Sequence, residues 1–249
     1  MSHFIKPPKS LLRCVGRAIA DYKMIRSGDR ILLGLSGGKD SLSLLHLLAH
    51  LQRCAPVSFE LGVITVDPQI PGFNPSPLKE YLTEWSIPYF YRSQPIFEEA
   101  MQHLGNNSFC AYCARMKRGI MYTTARQEHY NVLALAQHLD DLAESFLMSA
   151  FYTGRLQTMK AHYTNDAGDI RVIRPLVYAR ERQTTDFAKA AHLPVMVDNC
   201  PACFAQPTQR VHIKALLAQE EAKAKPLFKN LLHAMGPLMR GAAEEVLEF

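Results

Sequence analysis

Several kinds of segment are missing from this chain. No apolar run is long enough to span a bilayer, and the opening residues, Met1-Ser2-His3-Phe4-Ile5-Lys6, lack the hydrophobic stretch of a secretory signal. A cytoplasmic protein without membrane association is expected. There is no internal repeat and no low-complexity tract, which argues against a solenoid or a disordered chain. Strong charge of one sign is also absent: the net charge is +5, which permits a nucleic-acid partner without requiring one. Cysteine is sparse, with six in 249 residues. In a reducing compartment, paired cysteines point to metal or redox chemistry rather than disulfides. The length suits one decorated domain or two small ones, with ample core.

The chain is organised around Leu35-Ser36-Gly37-Gly38-Lys39-Asp40-Ser41. An apolar run, Ile31 to Leu35, precedes it and reads as a buried parallel strand. Leu44, Leu45, Leu48 and Leu51 follow at helical spacing and predict a helix over 41–52. A strand, a Gly-Gly turn and a helix N-terminus form an anion site, because free N–H groups and the helix dipole converge there. Gly37 and Gly38 allow positive φ and close backbone approach. Ser36 and Ser41 add hydroxyls and Lys39 a charge. The pattern is not a Walker A loop, because Asp40 follows Lys39 where that loop has Ser or Thr.

Helices are predicted at 11–25, 78–85, 96–104, from Cys110 onward, from about Asp140 to Phe151 and at 181–191, with two or three more over 208–249. Strands are predicted at 61–66, 89–91, 132–136, 170–174 and 195–197. This alternation argues for an α/β fold with a mostly parallel sheet. The strand over 61–66 ends at Asp67. In a doubly wound sheet that end lies at the ligand crevice, so Asp67 and the main chain at Val66 are candidates to meet adenosine, against an ordinary Asp-Pro turn. Asp140-Asp141 follows another strand. A hard cation such as Mg²⁺ on a triphosphate takes carboxylate oxygens, whereas one of the two aspartates is also a candidate helix N-cap. His138 beside them either contacts phosphate or packs.

Four cysteines form two C-x-x-C pairs, Cys110/Cys113 and Cys200/Cys203. The intervening residues 114–199 are too many for a zinc ribbon, so the fold must bring the pairs together. Four thiolates suit Zn²⁺ or an iron–sulfur cluster, and three suffice where one iron stays open. Thioredoxin-like redox chemistry and unrelated surface thiols are the other readings. Lys117 lies one helical turn beyond Cys113, placed to stabilise charge on a substrate. Arg115 and Arg118 belong to a solvated basic face or to a phosphate-contacting patch.

Ser36 to Ser41 resembles the PP-loop, SGGxDS, of N-type ATP pyrophosphatases. Those enzymes release pyrophosphate and leave AMP on the substrate. Together with Pro71-Gly72-Phe73, Phe109 to Cys113, Arg118-Gly119, His138 to Asp141, Ile173 to Leu176, Cys200 to Cys203, Gln206-Pro207 and Gln209-Arg210, the chain resembles the tRNA-thiolating PP-loop enzymes of the TtcA/TtuA group. It is nearer the branch that forms 2-thiocytidine at position 32 of the anticodon loop.

The resemblance implies a doubly wound sheet of the adenine nucleotide alpha-hydrolase-like kind. It divides the chain into a helical arm (1–27), a catalytic domain (28–205) and a helical C-terminal segment (206–249). It implies ATP and Mg²⁺ at the loop, with Mg²⁺ on Asp141, and a [4Fe–4S] cluster on Cys110, Cys113 and Cys203. Cys200 is then a spare thiol, structural or sulfur-carrying, and Asp40, Lys117 and Asp141 take catalytic positions. tRNA is the implied substrate, a sulfur donor such as a cysteine desulfurase the partner, and a homodimer the typical assembly. One departure stands out. The group's GHHxDD-like segment is here Ala136-Gln137-His138-Leu139-Asp140-Asp141, without its glycine and first histidine. Two other readings are a PP-loop enzyme with different chemistry and a nucleotide- or RNA-binding regulator holding structural zinc.

Overall fold

The computed structural model describes residues 4–103, 109–196 and 209–240. Helix α1 (Lys9–Asp21) turns Leu11, Val15 and Ala18 inward at helical spacing. It stops before the expected Ile25. Lys23 takes φ +46°, and the turn it makes lets Tyr22 and Met24 both bury. Strand β1 (Asp29–Gly34) leads to α2 (Lys39–Cys54), and β2 (Phe59–Asp67) to α3 (Ser76–Leu82). Strand β3 (Tyr89–Ser93) is followed by α4 (Ile96–His103) and α5 (Phe109–Gln127), then by β4 (Val132–Ala134) and α6 (Leu139–Thr153). The remainder is β5 (His162–Thr164), β6 (Arg171–Ile173), α7 (Glu181–Ala190), α8 (Gln209–Lys223) and α9 (Leu227–Met239).

The strands form one sheet in the order β3-β2-β1-β4-β6-β5. All pairs are parallel except β5 with β6. The α/β expectation is met. Strand β1 lies centrally, with Leu33 opposite Val63 on one side and Ala134 on the other. Side chains alternate between two faces. Leu32, Ile64, Leu133 and Val172 pack toward α5 in one core, while Ile31, Leu33, Val63 and Ile173 pack in the other. The second core also takes Leu11 and Val15 of α1, Leu44 and Leu48 of α2, and Ile213, Phe228 and Met235 of α8 and α9. The N- and C-terminal helices thus share their core with the central strand. Each such aliphatic side chain contributes about 1.5–3 kcal/mol by leaving water.

Two strand expectations change. His162–Thr164 is a strand, and it covers the outer edge of β6 as an antiparallel partner. Of the strand expected at 195–197, Val195 and Met196 are not strand residues and Val197 lies outside the described residues. The Met196 N–H donates to the Gly37 carbonyl at 2.9 Å, so this segment packs over the phosphate loop instead of joining the sheet. No helix among the described residues is long and apolar enough to cross a membrane.

From β1 the chain builds outward through β2 and β3, then returns to place β4 on the other flank. The reversal opens a crevice at the carboxyl ends of β1 and β4. Residues 35–41 and 137–141 follow those two strands, so both segments line it.

Candidate active site

The loop at the crevice is tied to the sheet at its base. The Leu35 N–H donates to the Ile64 carbonyl at 2.8 Å, and the Thr65 hydroxyl donates to the Leu35 carbonyl at 2.8 Å. Gly37 has φ +83°, and a side chain there would collide with Met196. Gly38 is the N-cap of α2 and has no side chain to satisfy the first-turn N–H groups, which leaves them for an anion. The Ser41 hydroxyl donates to the Gly38 carbonyl at 2.9 Å and lies 3.2 Å from the Ser36 hydroxyl.

Lys39 donates to Asp40 at 2.9 Å and to Glu181, the first residue of α7, at 3.1 Å. Burial lowers the ammonium pKa, but these two carboxylates outweigh it and the net direction is upward. Glu181 also accepts from Lys214 of α8 at 2.6 Å. Its burial raises the pKa, and the two lysines overcome that to hold it at about 2. Asp40 accepts from the Thr184 hydroxyl at 2.5 Å.

His138, buried at 4% exposure, is the N-cap of α6. Its Nδ1 accepts from the Asp141 N–H at 3.3 Å, while the Asp141 carboxylate accepts the His138 N–H at 3.0 Å. This capping box leaves the ring proton on Nε2, which lies 3.8 Å from the Asp40 carboxylate. Neither aspartate is the N-cap expected of one of them: Asp141 is the third residue of α6, and Asp140 is bound elsewhere. It accepts from the Glu181 N–H at 2.7 Å and from the Arg180 guanidinium at 3.1 Å. Arg180 continues to Glu221 at 2.7 Å. The other oxygen of Asp141 faces Arg210, which donates at 2.5 Å and also reaches Glu144 at 2.6 Å. Burial raises the Glu144 pKa further than Arg210 lowers it.

Ser36, Lys39, Asp40, Ser41, His138 and Asp141 therefore converge on the crevice. Asp67 ends β2 nearby, where its carboxylate accepts from the Gln69 N–H at 2.7 Å and from the Tyr91 hydroxyl. Val66 is buried beside it. Cys110 and Cys113 lie on the first turn of α5, with Cys110 exposed and Cys113 at 8% exposure. Arg210, bonded to Asp141, also lies within electrostatic reach of Cys110, which sets the cysteine end of α5 on the Asp141 side of the crevice. Lys117 is half-buried one turn further along α5. Cys200 and Cys203 lie outside the described residues.

Sequence reasoning missed Glu181, Thr184, Arg180 and Glu144. Their partners in the site are 33 to 144 positions away, and no local pattern marks them. Arg210 stood within a quoted motif without an assigned role. Gln137, the departure in its segment, has a clear structural partner: its amide oxygen accepts from Arg174 at 2.9 Å. Arg174 is buried at 4% exposure, which lowers its pKa, and it also donates to the Lys160 carbonyl at 2.6 Å.

An anion-binding loop at the switch point of a doubly wound sheet, backed by aspartates, defines a nucleotide-binding α/β enzyme. Residues 11–218 match the PP-loop domain family. The tRNA-cytidine(32) 2-sulfurtransferase of Geobacter sulfurreducens is 40% identical over 92% of this chain and 89% of its own length. That of Pelobacter propionicus is 39% identical over 91% and 85%. Among solved structures, the U34-tRNA thiolase NcsA from Methanococcus maripaludis, with its [4Fe–4S] cluster, superposes with a TM-score of 0.75 over 93% of this chain and 78% of its own. At 21% identity it supports the fold. The chain belongs to the PP-loop family and, within it, to the tRNA-cytidine(32) 2-sulfurtransferases. The resemblance read from its motifs is borne out.

Proposed function

We propose that this protein is an ATP-dependent tRNA sulfurtransferase forming 2-thiocytidine at position 32. The observation that carries the reading is the junction of two sites. Arg210 donates to Asp141 at 2.5 Å and lies within electrostatic reach of Cys110, while His138, which caps the same helix as Asp141, lies 3.8 Å from Asp40 of the phosphate loop. Nucleotide activation and sulfur handling are therefore neighbours. When bound, ATP with Mg²⁺ would supply an adenylyl group for the base C2 carbonyl oxygen with release of pyrophosphate, and a [4Fe–4S] cluster would supply the place from which sulfur is delivered.

The residues fit those groups. The uncapped N–H groups of α2, with Ser36, Ser41 and Lys39, hold phosphate oxygens. Asp40 and Asp141 present the hard oxygen donors that Mg²⁺ takes. His138 fixes Asp141 through its capping box and keeps its ring N–H toward Asp40. Cys110 and Cys113, three residues apart on one helix, offer two thiolates on one side, and Cys203 is assigned as the third ligand. Cys200 is left as a free thiol. Lys117 is assigned to stabilise charge while the C2 carbonyl oxygen is adenylated with release of pyrophosphate and sulfur then displaces AMP. The sulfur donor is assigned as a cysteine desulfurase, the assembly as a homodimer and the compartment as the cytoplasm. Residues 28–205 are assigned as the catalytic domain.

Anaerobic purification provides the test. Wild-type protein should carry broad visible absorption from the cluster, and Cys110→Ala, Cys113→Ala and Cys203→Ala should each lose it. Cys200→Ala should keep it. A colourless protein with one tightly bound zinc would instead favour a structural-metal regulator.

A further inference from the structure

A second concavity lies away from the nucleotide crevice. It is a groove of about 720 Å³ between β3 and one face of α5, where Arg92, Gln94, Arg115, Gly119, Thr123 and Gln127 lie beside the aliphatic Met116 and Ile120. Strand β3 is the outermost strand on its side, so the groove runs along an open sheet edge. Residues 115, 119, 123 and 127 recur every fourth position and make one stripe about 18 Å long on α5.

The charge of this helix is one-sided. Phe109–Gln127 contains Arg115, Lys117, Arg118 and Arg126, and no acidic residue. Arg126 is taken up by Asp169 at 2.5 Å. Arg115 lies over the Tyr112 ring at 5.6 Å, and no ion pair engages Arg115, Lys117 or Arg118 among the described residues. On the strand side, Arg92 meets Glu128 at 3.4 Å. The lining thus carries two guanidinium groups, Arg92 partly offset by Glu128 and Arg115 without an ion pair among the described residues, with amide, hydroxyl and aliphatic side chains between them. Gly119 sits within the unbroken helix where a Cβ would meet nothing within 4 Å, although glycine weakens a helix interior. The stripe begins two residues after Cys113, at the cysteine end of α5.

We propose that this groove holds the sugar–phosphate backbone of the RNA substrate and leads it to the cysteine end of α5. The proposal rests on the tRNA reading above. Arg92 and Arg115 contact phosphates, Gln94, Thr123 and Gln127 add hydrogen bonds, and Gly119 keeps the path open. An acidic protein is the less suitable occupant. A stable protein interface needs exposed apolar or aromatic anchors; no aromatic side chain among the described residues lines this groove, and its Met116 and Ile120 are half-buried and packed against the core.

Titration of tRNA across a salt series tests this with three variants. Arg92→Glu/Arg115→Glu should weaken binding by more than about tenfold and flatten the slope of log K against log salt by roughly 1.5–2, the loss of two phosphate contacts. Gly119→Leu should weaken binding while its melting temperature holds or rises, since leucine favours the helix and meets open space. Glu128→Gln should tighten binding by releasing Arg92. ATP affinity at the phosphate loop should stay unchanged in all three. Wild-type affinity and slope in the Gly119→Leu and Glu128→Gln proteins would overturn the groove assignment, as would variants that alter binding of an acidic protein but not of tRNA. Wild-type protein that neither binds nor thiolates tRNA would overturn the functional reading itself, a separate result.

Discussion

Replacing Gly37 by alanine tests the loop geometry most sharply. The residue holds φ +83°, a region that costs an L side chain about 1–2 kcal/mol. The new Cβ would also lie 2.9 Å from Met196 Cγ and 3.2 Å from Met196 Cβ, with Sδ nearer still. Met196 cannot simply withdraw, because its N–H is bonded to the Gly37 carbonyl at 2.9 Å. Overpacking of this kind costs about 1–3 kcal/mol. The sum is roughly 2–5 kcal/mol, a drop of about 5–15 °C in melting temperature for a chain of this size. Met196→Ala removes Cγ and Sδ, the two nearest atoms, and spares the backbone. The double variant Gly37→Ala/Met196→Ala should therefore recover about 1–3 kcal/mol relative to additivity while the backbone share persists. Chemical denaturation of the wild type, both single variants and the double variant measures this coupling, and ATP titration should show weaker binding wherever Gly37 is replaced. Strictly additive effects, or a cost below about 0.5 kcal/mol for Gly37→Ala, would refute the argument.

Further expectations follow from charge and burial. Glu181 has its pKa held at about 2, below the ordinary 4.5, so its contribution is present above pH 4.5 and is lost as the pH falls toward 2. That contribution is on the order of 3 kcal/mol, and the stability gap between wild type and Glu181→Gln should close across that window; an unchanged gap at pH 3 would contradict it. His46, fully buried against Trp85 and Phe187, has its pKa lowered to about 4 from 6.5, mainly by burial. It favours the native state above pH 6.5 and loses that advantage as the pH falls through 4, so a His46→Gln protein should show a flatter stability profile between those values. Gln137→Leu removes one acceptor from the buried Arg174 guanidinium and should cost about 1–3 kcal/mol in denaturant titrations. A neutral result would show that Arg174 finds another partner.

The parts of the fold legible in the sequence are those with strong local demands. Ile31–Leu33, Val63–Val66 and Val132–Ala134 read as strands because they are buried on both faces. Ser36 to Ser41 read as an anion loop because its chemistry requires glycines between a strand and a helix. His162–Thr164 escaped notice because a short polar edge strand carries no apolar run. Val195-Met196 looked like a strand because its residues are apolar, yet the sheet edge beyond β6 belongs to β5 and the segment caps the loop instead. The crevice aspartates were visible from composition and position. The ion pairs that orient them were not, because Arg180, Glu181 and Arg210 reach them only through the packing of α7 and α8 against α6 and the phosphate loop.

The most direct measurement is mass spectrometry of tRNA nucleosides from cells lacking the gene, complemented with wild type, Asp40→Ala or Cys203→Ala. The account predicts that 2-thiocytidine is lost in the deletion strain and returns with wild type alone. Thionucleosides unchanged by the deletion, or restored by either variant, would contradict it.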